Sequence, residues 1–435
     1  MASGTAIVQR GGGGGAPQTV RWRPEPLGDG GAMHLLLAAG QSLTQGHVDS
    51  GQPERIPFWR DPVAERAWQF QAGDGIQRGP RPLQVRPVSR NRETVIAPGQ
   101  LTRLEPLRGA RHANDPQYAQ TSVETAALAL IGQHLHHEDH VLGCVIGTGA
   151  TAIADFAPGA AHFKSACAVI GAAQAQAAAH HLALRVWLVW NQGEEDNDRG
   201  TSQAVWQDTW RAIRDGLQAR THAVGGIFGG SVIQQTLQRT AGATGMATLA
   251  QAELIAAGEA LAVMPVTCPP FYSGRSHLRP LTYLPLGAAT GYEISRMIAG
   301  GTPVTPHVAA GDAVRAAADR IDCRISGGTG RFLFDDILPC DRARGIRVLD
   351  PQGRVLPIRA IRLADANRLA LTLAEPAPDV ALWVEFGLHG TAANTSRVSI
   401  RDDSGWTCPC TGHVVSGWMM HHRVAVTVPP PGKDL

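Results

Sequence analysis

The chain has 435 residues, 43% hydrophobic and 17% charged, with 39 basic against 37 acidic side chains for a net charge of +2. This length calls for two or three domains, and this composition for a soluble globular protein with a sizeable core. The balanced charge provides no basic face for nucleic acid, and no run reaches the roughly 18–20 apolar residues of a membrane helix. Neither is therefore an expected partner.

Residues 1–31 are rich in Gly, Pro and Arg. They read either as a disordered leader or as an arm that orders on a protein partner. Arg10 and the run Gly11 to Gly15 have no apolar core behind them, which is not the pattern of a secretory signal peptide. The run His34 to Ala39, ending at Gly40, predicts a buried parallel strand. Residues 50–120 form an irregular, Pro- and Gly-rich insertion. Thr121 or Ser122 caps a helix to about His137, with Glu124 in its first turn.

Strand and helix then alternate. Strands are expected at 141–146 and 185–190, and an alanine-rich helix at about 163–182. A helix from Ser202 to about Leu217 carries Trp206 and Trp210 at i, i+4 spacing. Strands at 224–228 and 261–266 flank a helix near 245–258, and a last helix covers about 284–298. This alternation predicts a parallel sheet with helices on both faces, over residues 32–310. In such sheets the site lies beyond the carboxyl ends of the strands. From about 315 to 435, β-rich runs at 345–349, 368–373, 380–386 and 423–428 predict a separate β-sandwich-like domain. Asp350-Pro351-Gln352-Gly353 supplies a turn.

Four segments at strand ends carry chemistry. Gly40-Gln41-Ser42 places a hydroxyl at a sharp turn, where backbone N–H groups can face an oxyanion. Gly147-Thr148-Gly149-Ala150-Thr151-Ala152-Ile153 is a loop whose glycines allow close backbone approach. Trp190-Asn191-Gln192-Gly193-Glu194-Glu195-Asp196 sets three acids beside an amide donor. It reads as a solvated acidic turn, or as a site in which Gln192 donates to an oxyanion and Glu194 orients a neighbour. Ser273 to Leu278 contains His277, a candidate general base.

In this order the four segments resemble the block pattern of the SGNH (GDSL-like) hydrolases, in their sialate O-acetylesterase and acetylxylan-esterase branch. Gly40-Gln41-Ser42 is similar to the nucleophile block. Gly149 to Ile153 resembles a Gly-Gly-Thr/Ser-Ser-Ile block. Trp190, Gln192, Gly193, Glu194 and Asp196 fill every fixed position of Trp-x-Gln-Gly-Glu-x-Asp. The resemblance covers roughly residues 33–300.

It implies a flavodoxin-like three-layer α/β/α fold and hydrolysis of acetyl esters on a carbohydrate without a cofactor. Ser42 would be the nucleophile and His277 the base. The Ser42 and Gly149 N–H groups and the Gln192 side chain would form the oxyanion hole, supported by Gln41, Trp190, Glu194 and Asp196. Three positions depart from the pattern: Leu43 stands where Asn is frequent, Ala150 where Gly is usual, and Gly274 where Asp-x-x-His has its acid. The expected machinery is thus a Ser42–His277 dyad, with a main-chain carbonyl or Glu194 orienting the imidazole.

The Gly274 position, the arm and the β-rich appendage also fit a second reading. The chain would then be a weakly catalytic or non-catalytic glycan-binding component of a phage tail or phage-like particle. The expected location is cytoplasmic, or outside the cell after release with such a particle.

Seven scattered cysteines, an odd number, argue against a disulfide scaffold and fit a reducing compartment. His134, His136, His137 and His140 read as an exposed helix end. Cys408, Cys410 and His413, with His421 and His422 following, read as structural groups, so no metal site is expected. No phosphate-binding or dinucleotide fingerprint follows any expected strand.

Overall fold

The computed structural model describes residues 31–44, 67–70, 104–106, 126, 135, 137–238, 243–268, 277–301, 305–336, 341–390, 397–408, 412 and 414–428. The arm ahead of Gly31, most of the 50–120 insertion and most of the helix expected before His137 lie outside the described residues. So do His134, His136, Gly274, Cys410 and His413.

Among the described residues seven strands make one sheet: β1 (Ala32–Gly40), β2 (Ala67–Phe70), β3 (Leu104–Pro106), β4 (His140–Gly147), β5 (Ala183–Asn191), β6 (Ile227–Ile233) and β7 (Leu261–Ala262). Their order is β3-β2-β4-β1-β5-β6-β7, and only β3 runs antiparallel to its neighbour. Helix α1 (Ala161–Ala179) connects β4 to β5. The short α2 (Glu194–Arg199) and the long α3 (Gln203–Ala223) lie between β5 and β6. Helix α4 (Met246–Ala256) leads to β7, and α5 (Tyr283–Ile298) follows it.

All nine residues of β1 are buried because helices cover both of its faces. Leu36 and Ala38 face a layer that contains Val145, Val189 and the α5 residues Tyr283 and Leu286. Met33, Leu35, Leu37 and Ala39 face the other way, onto α1, α3 and α4. Trp206 and Trp210 of α3 are fully buried in that second layer, as their spacing demands. The Ser202 side chain caps α3 by accepting from the Val205 N–H at 3.4 Å.

The strand expected at 224–228 is shifted to Ile227–Ile233. Gly225 turns the chain out of α3 with φ +83, and Gly229-Gly230 lies inside the strand at a register shift. A Cβ on Gly229 would stand 2.7 Å from the Trp187 ring, so the glycine makes room for the indole. Among the described residues no helix is long and apolar enough to cross a membrane.

Among the described residues the β-rich part holds eleven strands: β8 (Ala313–Ala317), β9 (Arg320–Arg324), β10 (Phe332–Phe334), β11 (Ile346–Leu349), β12 (Val355–Leu356), β13 (Ile358–Leu363), β14 (Arg368–Leu373), β15 (Leu382–Phe386), β16 (Ile400–Thr407), β17 (Val414–Trp418) and β18 (His422–Val426). They form three antiparallel sheets, β13-β14-β9-β8, β12-β11-β15-β18 and β10-β16-β17. One apolar core lies among them, with Ile321, Leu371, Val384, Phe386 and Ile400.

This part packs against the parallel sheet. Cys408, Val415 and Trp418 belong to the same core cluster as Leu36 and Tyr283. The Gln235 side chain meets the His421 backbone like a paired strand residue, donating to its carbonyl at 2.9 Å and accepting its N–H at 2.8 Å. Glu385, wholly buried, is held by Arg347 at 2.6 Å and by Arg423, and it accepts from Thr244 at 3.2 Å. Burial alone raises the Glu385 carboxyl. Hydrogen bonds and charge from Arg423 and Arg347 outweigh it and hold the carboxyl below its usual range.

Candidate active site

The site grows from three strand ends that touch. A Cβ on Gly40 would lie 1.9 Å from the Asn191 carbonyl oxygen, and a Cβ on Gly147 would lie 1.8 Å from the Gly40 oxygen. Only glycine lets β1, β4 and β5 converge this closely. The Asn191 oxygen then accepts from the Gln41 N–H at 3.2 Å and from the Thr44 hydroxyl at 2.9 Å, which fixes the 41–44 turn. Gln41, Leu43 and Thr44 are buried in that turn, while Ser42 keeps part of its surface.

Ser42 Oγ stands 3.1 Å from His277 Nε2, across 235 residues of sequence. Packing explains the meeting. Leu43 and Leu278, each next in sequence to one of the pair, both sink into the core layer beneath α5. Leu43, where the resembled pattern has Asn, thus serves as an apolar anchor for the turn. Gly149 also lies beside the serine, since a Cβ added to it would sit 3.7 Å from Ser42 Cβ. Ala150 has φ +54, a left-handed conformation that explains why glycine is usual there.

The Trp190–Asp196 segment is buried apart from the half-buried Glu195, which corrects the reading of a solvated turn: Glu194 is 3% and Asp196 1% exposed. Its acids occupy the first turn of α2, where the helix dipole favours them. Glu194 Oε2 accepts from the Gln41 amide at 2.5 Å, next door to Ser42. Asp196 accepts from the Ile153 N–H at 2.8 Å, from the Thr201 hydroxyl at 2.7 Å and from the Gln192 amide. Trp190 packs edge-on to Phe156 and Trp206 in the core layer that faces α1, α3 and α4.

Gln192 also requires a correction. Its amide nitrogen donates to the Thr151 carbonyl at 3.1 Å and to Asp196, and its oxygen accepts from Trp206 Nε1 at 3.2 Å. The indole can only donate, so the amide orientation is fixed. Neither amide hydrogen is left for an oxyanion in this arrangement. Gln192 instead ties the 148–153 loop to α2 and α3.

Two side chains beside the site carry no motif of their own. The Asn191 amide donates to Gln234 at 2.7 Å, and Gln234 donates on to Thr290 of α5 at 2.8 Å. His162, in the first turn of α1, has its Nε2 3.2 Å from the Thr148 hydroxyl. A lone histidine in an alanine-rich helix was the signal available for it. Among the described residues no group of three or more His, Cys, Asp or Glu could hold a metal. His137 is exposed beside Glu138, and His422 is taken up by the Val308 N–H at 3.0 Å and the Met420 carbonyl at 2.7 Å.

No family model matches the chain, and no curated protein matches it in sequence. Among solved structures it is similar to a protein from Arabidopsis thaliana, with TM-score 0.41 and 12% identity, covering 60% of this chain and 97% of that one. It is similar to NanS with TM-score 0.31 and 12% identity, covering 49% and 68%. CopC from Methylosinus trichosporium OB3b aligns with TM-score 0.12 and 14% identity, over 30% of this chain and 90% of that one. Likenesses of this size assign no activity.

Proposed function

We propose that the protein is a serine esterase that removes O-acetyl groups from a carbohydrate. The observation that carries the reading is the 3.1 Å contact between Ser42 Oγ and His277 Nε2 at the carboxyl end of the sheet. A hydroxyl and an imidazole at that separation form a nucleophile–base pair. The carbohydrate part of the reading rests on the resemblance of the four sequence blocks, as does the SGNH fold.

In this mechanism Ser42 Oγ attacks the acetyl carbonyl carbon while its proton passes to His277 Nε2. The carbonyl oxygen gains the negative charge, and the backbone N–H groups of Ser42 and Gly149 stabilise it. Collapse of the tetrahedral intermediate breaks the ester C–O bond, and His277 returns the proton to the departing sugar oxygen. Acetyl-Ser42 remains. Water then attacks its carbonyl, giving its proton to His277, and acetate leaves as the Ser42 hydroxyl is restored. No step calls on Gln192.

The test is hydrolysis of p-nitrophenyl acetate and acetate release from acetylated polysaccharide. Ser42→Ala and His277→Ala are expected to lose about a thousandfold or more of turnover. Undiminished activity in Ser42→Ala would sink the assignment.

A further inference from the structure

The peptide that joins Thr148 to Gly149 is held on more than one side. Thr151, 1% exposed, donates its hydroxyl to the Thr148 carbonyl oxygen at 2.5 Å. The same hydroxyl lies 3.5 Å from the Gly149 oxygen. Thr151 is itself fixed, because its carbonyl accepts from Gln192 at 3.1 Å. A trans peptide is planar, and its C=O and N–H point in opposite directions. Fixing the Thr148 carbonyl therefore fixes the Gly149 N–H.

A second clamp acts on the Thr148 side chain. His162 is 1% exposed, and its Nδ1 lies 3.2 Å from the Asp155 carbonyl oxygen. A carbonyl can only accept, so Nδ1 carries the hydrogen and Nε2 presents a lone pair. The Thr148 hydroxyl lies 3.2 Å from that lone pair and donates to it. The imidazole is braced against Phe156, with ring centroids 4.6 Å apart. One residue past Gly149, Ala150 bends the chain through a left-handed conformation that is strained for a residue with a side chain. These clamps, with Gln192 and Asp196 on the far side of the loop, hold it in that shape.

We propose that Thr151 and His162 are positioning residues that aim the Gly149 N–H at the developing oxyanion. The proposal rests on the esterase reading above, and its consequences are separable from it. A donor directed at charge that exists only in the transition state changes kcat and leaves KM nearly alone.

Steady-state kinetics with p-nitrophenyl acetate on the full chain tests it, with thermal unfolding measured alongside. Thr151→Val keeps the shape of the side chain and deletes the hydroxyl. It is expected to lower kcat about ten- to a hundredfold with KM within about twofold, somewhat less than full removal of an oxyanion donor. Thr151→Ser, which restores the hydroxyl, is expected to recover most of the rate. Thr148→Val, on an exposed side chain, and His162→Gln probe the second clamp and keep the test alive if Thr151→Val does not fold. Each should lower kcat severalfold with KM unchanged.

Wild-type kcat in folded Thr151→Val, or equal losses in Thr151→Val and Thr151→Ser, would overturn the role of the Thr151 hydroxyl. Wild-type kcat in both Thr148→Val and His162→Gln would overturn that of His162. A wild-type protein without Ser42-dependent esterase activity would overturn the esterase reading and this inference with it.

Discussion

At the carboxyl end of the parallel sheet, Ser42 and His277 meet at 3.1 Å and both keep part of their surface open. At the amino end of the same sheet a second histidine is sealed in. His34 of β1 has no exposure, accepts from Trp187 Nε1 at 3.1 Å through Nδ1, and lies 3.7 Å from the Asp139 carboxylate. Asp139 accepts from the Ala32 N–H at 2.7 Å. Burial pushes the His34 imidazole below its ordinary range, against the upward pull of Asp139. A histidine beside a carboxylate is therefore not a site by itself. The carboxyl end differs in offering a hydroxyl partner, a glycine-lined loop and access from outside.

The two ends should respond differently to mutation. The largest effect is expected at the open end: on the proposed mechanism, Ser42→Ala should remove about a thousandfold or more of turnover and leave thermal unfolding near wild type. At the closed end the signs exchange. His34→Leu strands the Trp187 indole N–H in the core, and Asp139→Ala strands the Ala32 N–H. Each is expected to lower stability by about 1–3 kcal/mol in denaturant titrations, with kcat of the folded protein for the proposed reaction unchanged. A tenfold fall in kcat with full stability would mean that the closed end serves the reaction.

Acid provides a third contrast. Burial, with charge from His422, His389 and Arg397, lowers His421 to about 3, and burial lowers His422 to about 4. Unfolded histidines take up protons near the ordinary value of 6.5, well before these buried ones do. Stability is therefore full above that value and falls as pH drops from about 6.5 toward about 4. The unfolding midpoint followed over that range should fall, and less steeply in His421→Gln. Glu385, held low by two arginines, adds its own loss only further into acid, as pH falls through its depressed value.

The smallest effect is at Ala150. Ala150→Gly relieves the left-handed strain at φ +54, worth about 1–2 kcal/mol, against the roughly 0.5–1 kcal/mol cost of glycine's freedom in the unfolded chain. The unfolding midpoint should be unchanged or slightly raised, and kcat within about twofold of wild type.

The pattern that was legible in the sequence followed the same division. Apolar runs such as His34 to Ala39 and Arg185 to Trp190 announced buried parallel strands, because a strand covered on both faces has no polar alternation to hide it. The order of Ser42, Gly149, Trp190–Asp196 and His277 along the strand ends was legible for the same reason. What could not be read was direction. Gln192 has donors enough for an oxyanion, and only the third dimension shows them turned to Thr151 and Asp196. The acids Glu194 and Asp196 look solvated until the loops that bury them are in place.

In the β-rich part, β16 leaves no strand pattern in the sequence, because Asp402-Asp403-Ser404-Gly405 interrupts any apolar alternation. Asp402 is buried there, accepting from the Thr329 N–H at 3.0 Å and the Gly417 N–H at 2.9 Å. β13 was missed because Arg359 and Arg362 break the apolar run of a half-exposed strand. The shared core of Trp418 with Leu36 and Tyr283 joins residues far apart in sequence, which no local pattern reports.

The most direct test of the central claim is capture of the acyl-enzyme. The protein is mixed with p-nitrophenyl acetate, quenched in acid and digested, and the peptide that contains Ser42 is weighed. The Ser42–His277 mechanism predicts a single acetyl group on Ser42, formed in a burst with p-nitrophenol and absent from Ser42→Ala. Turnover that proceeds with Ser42 unmodified, and at the same rate in Ser42→Ala, would contradict it.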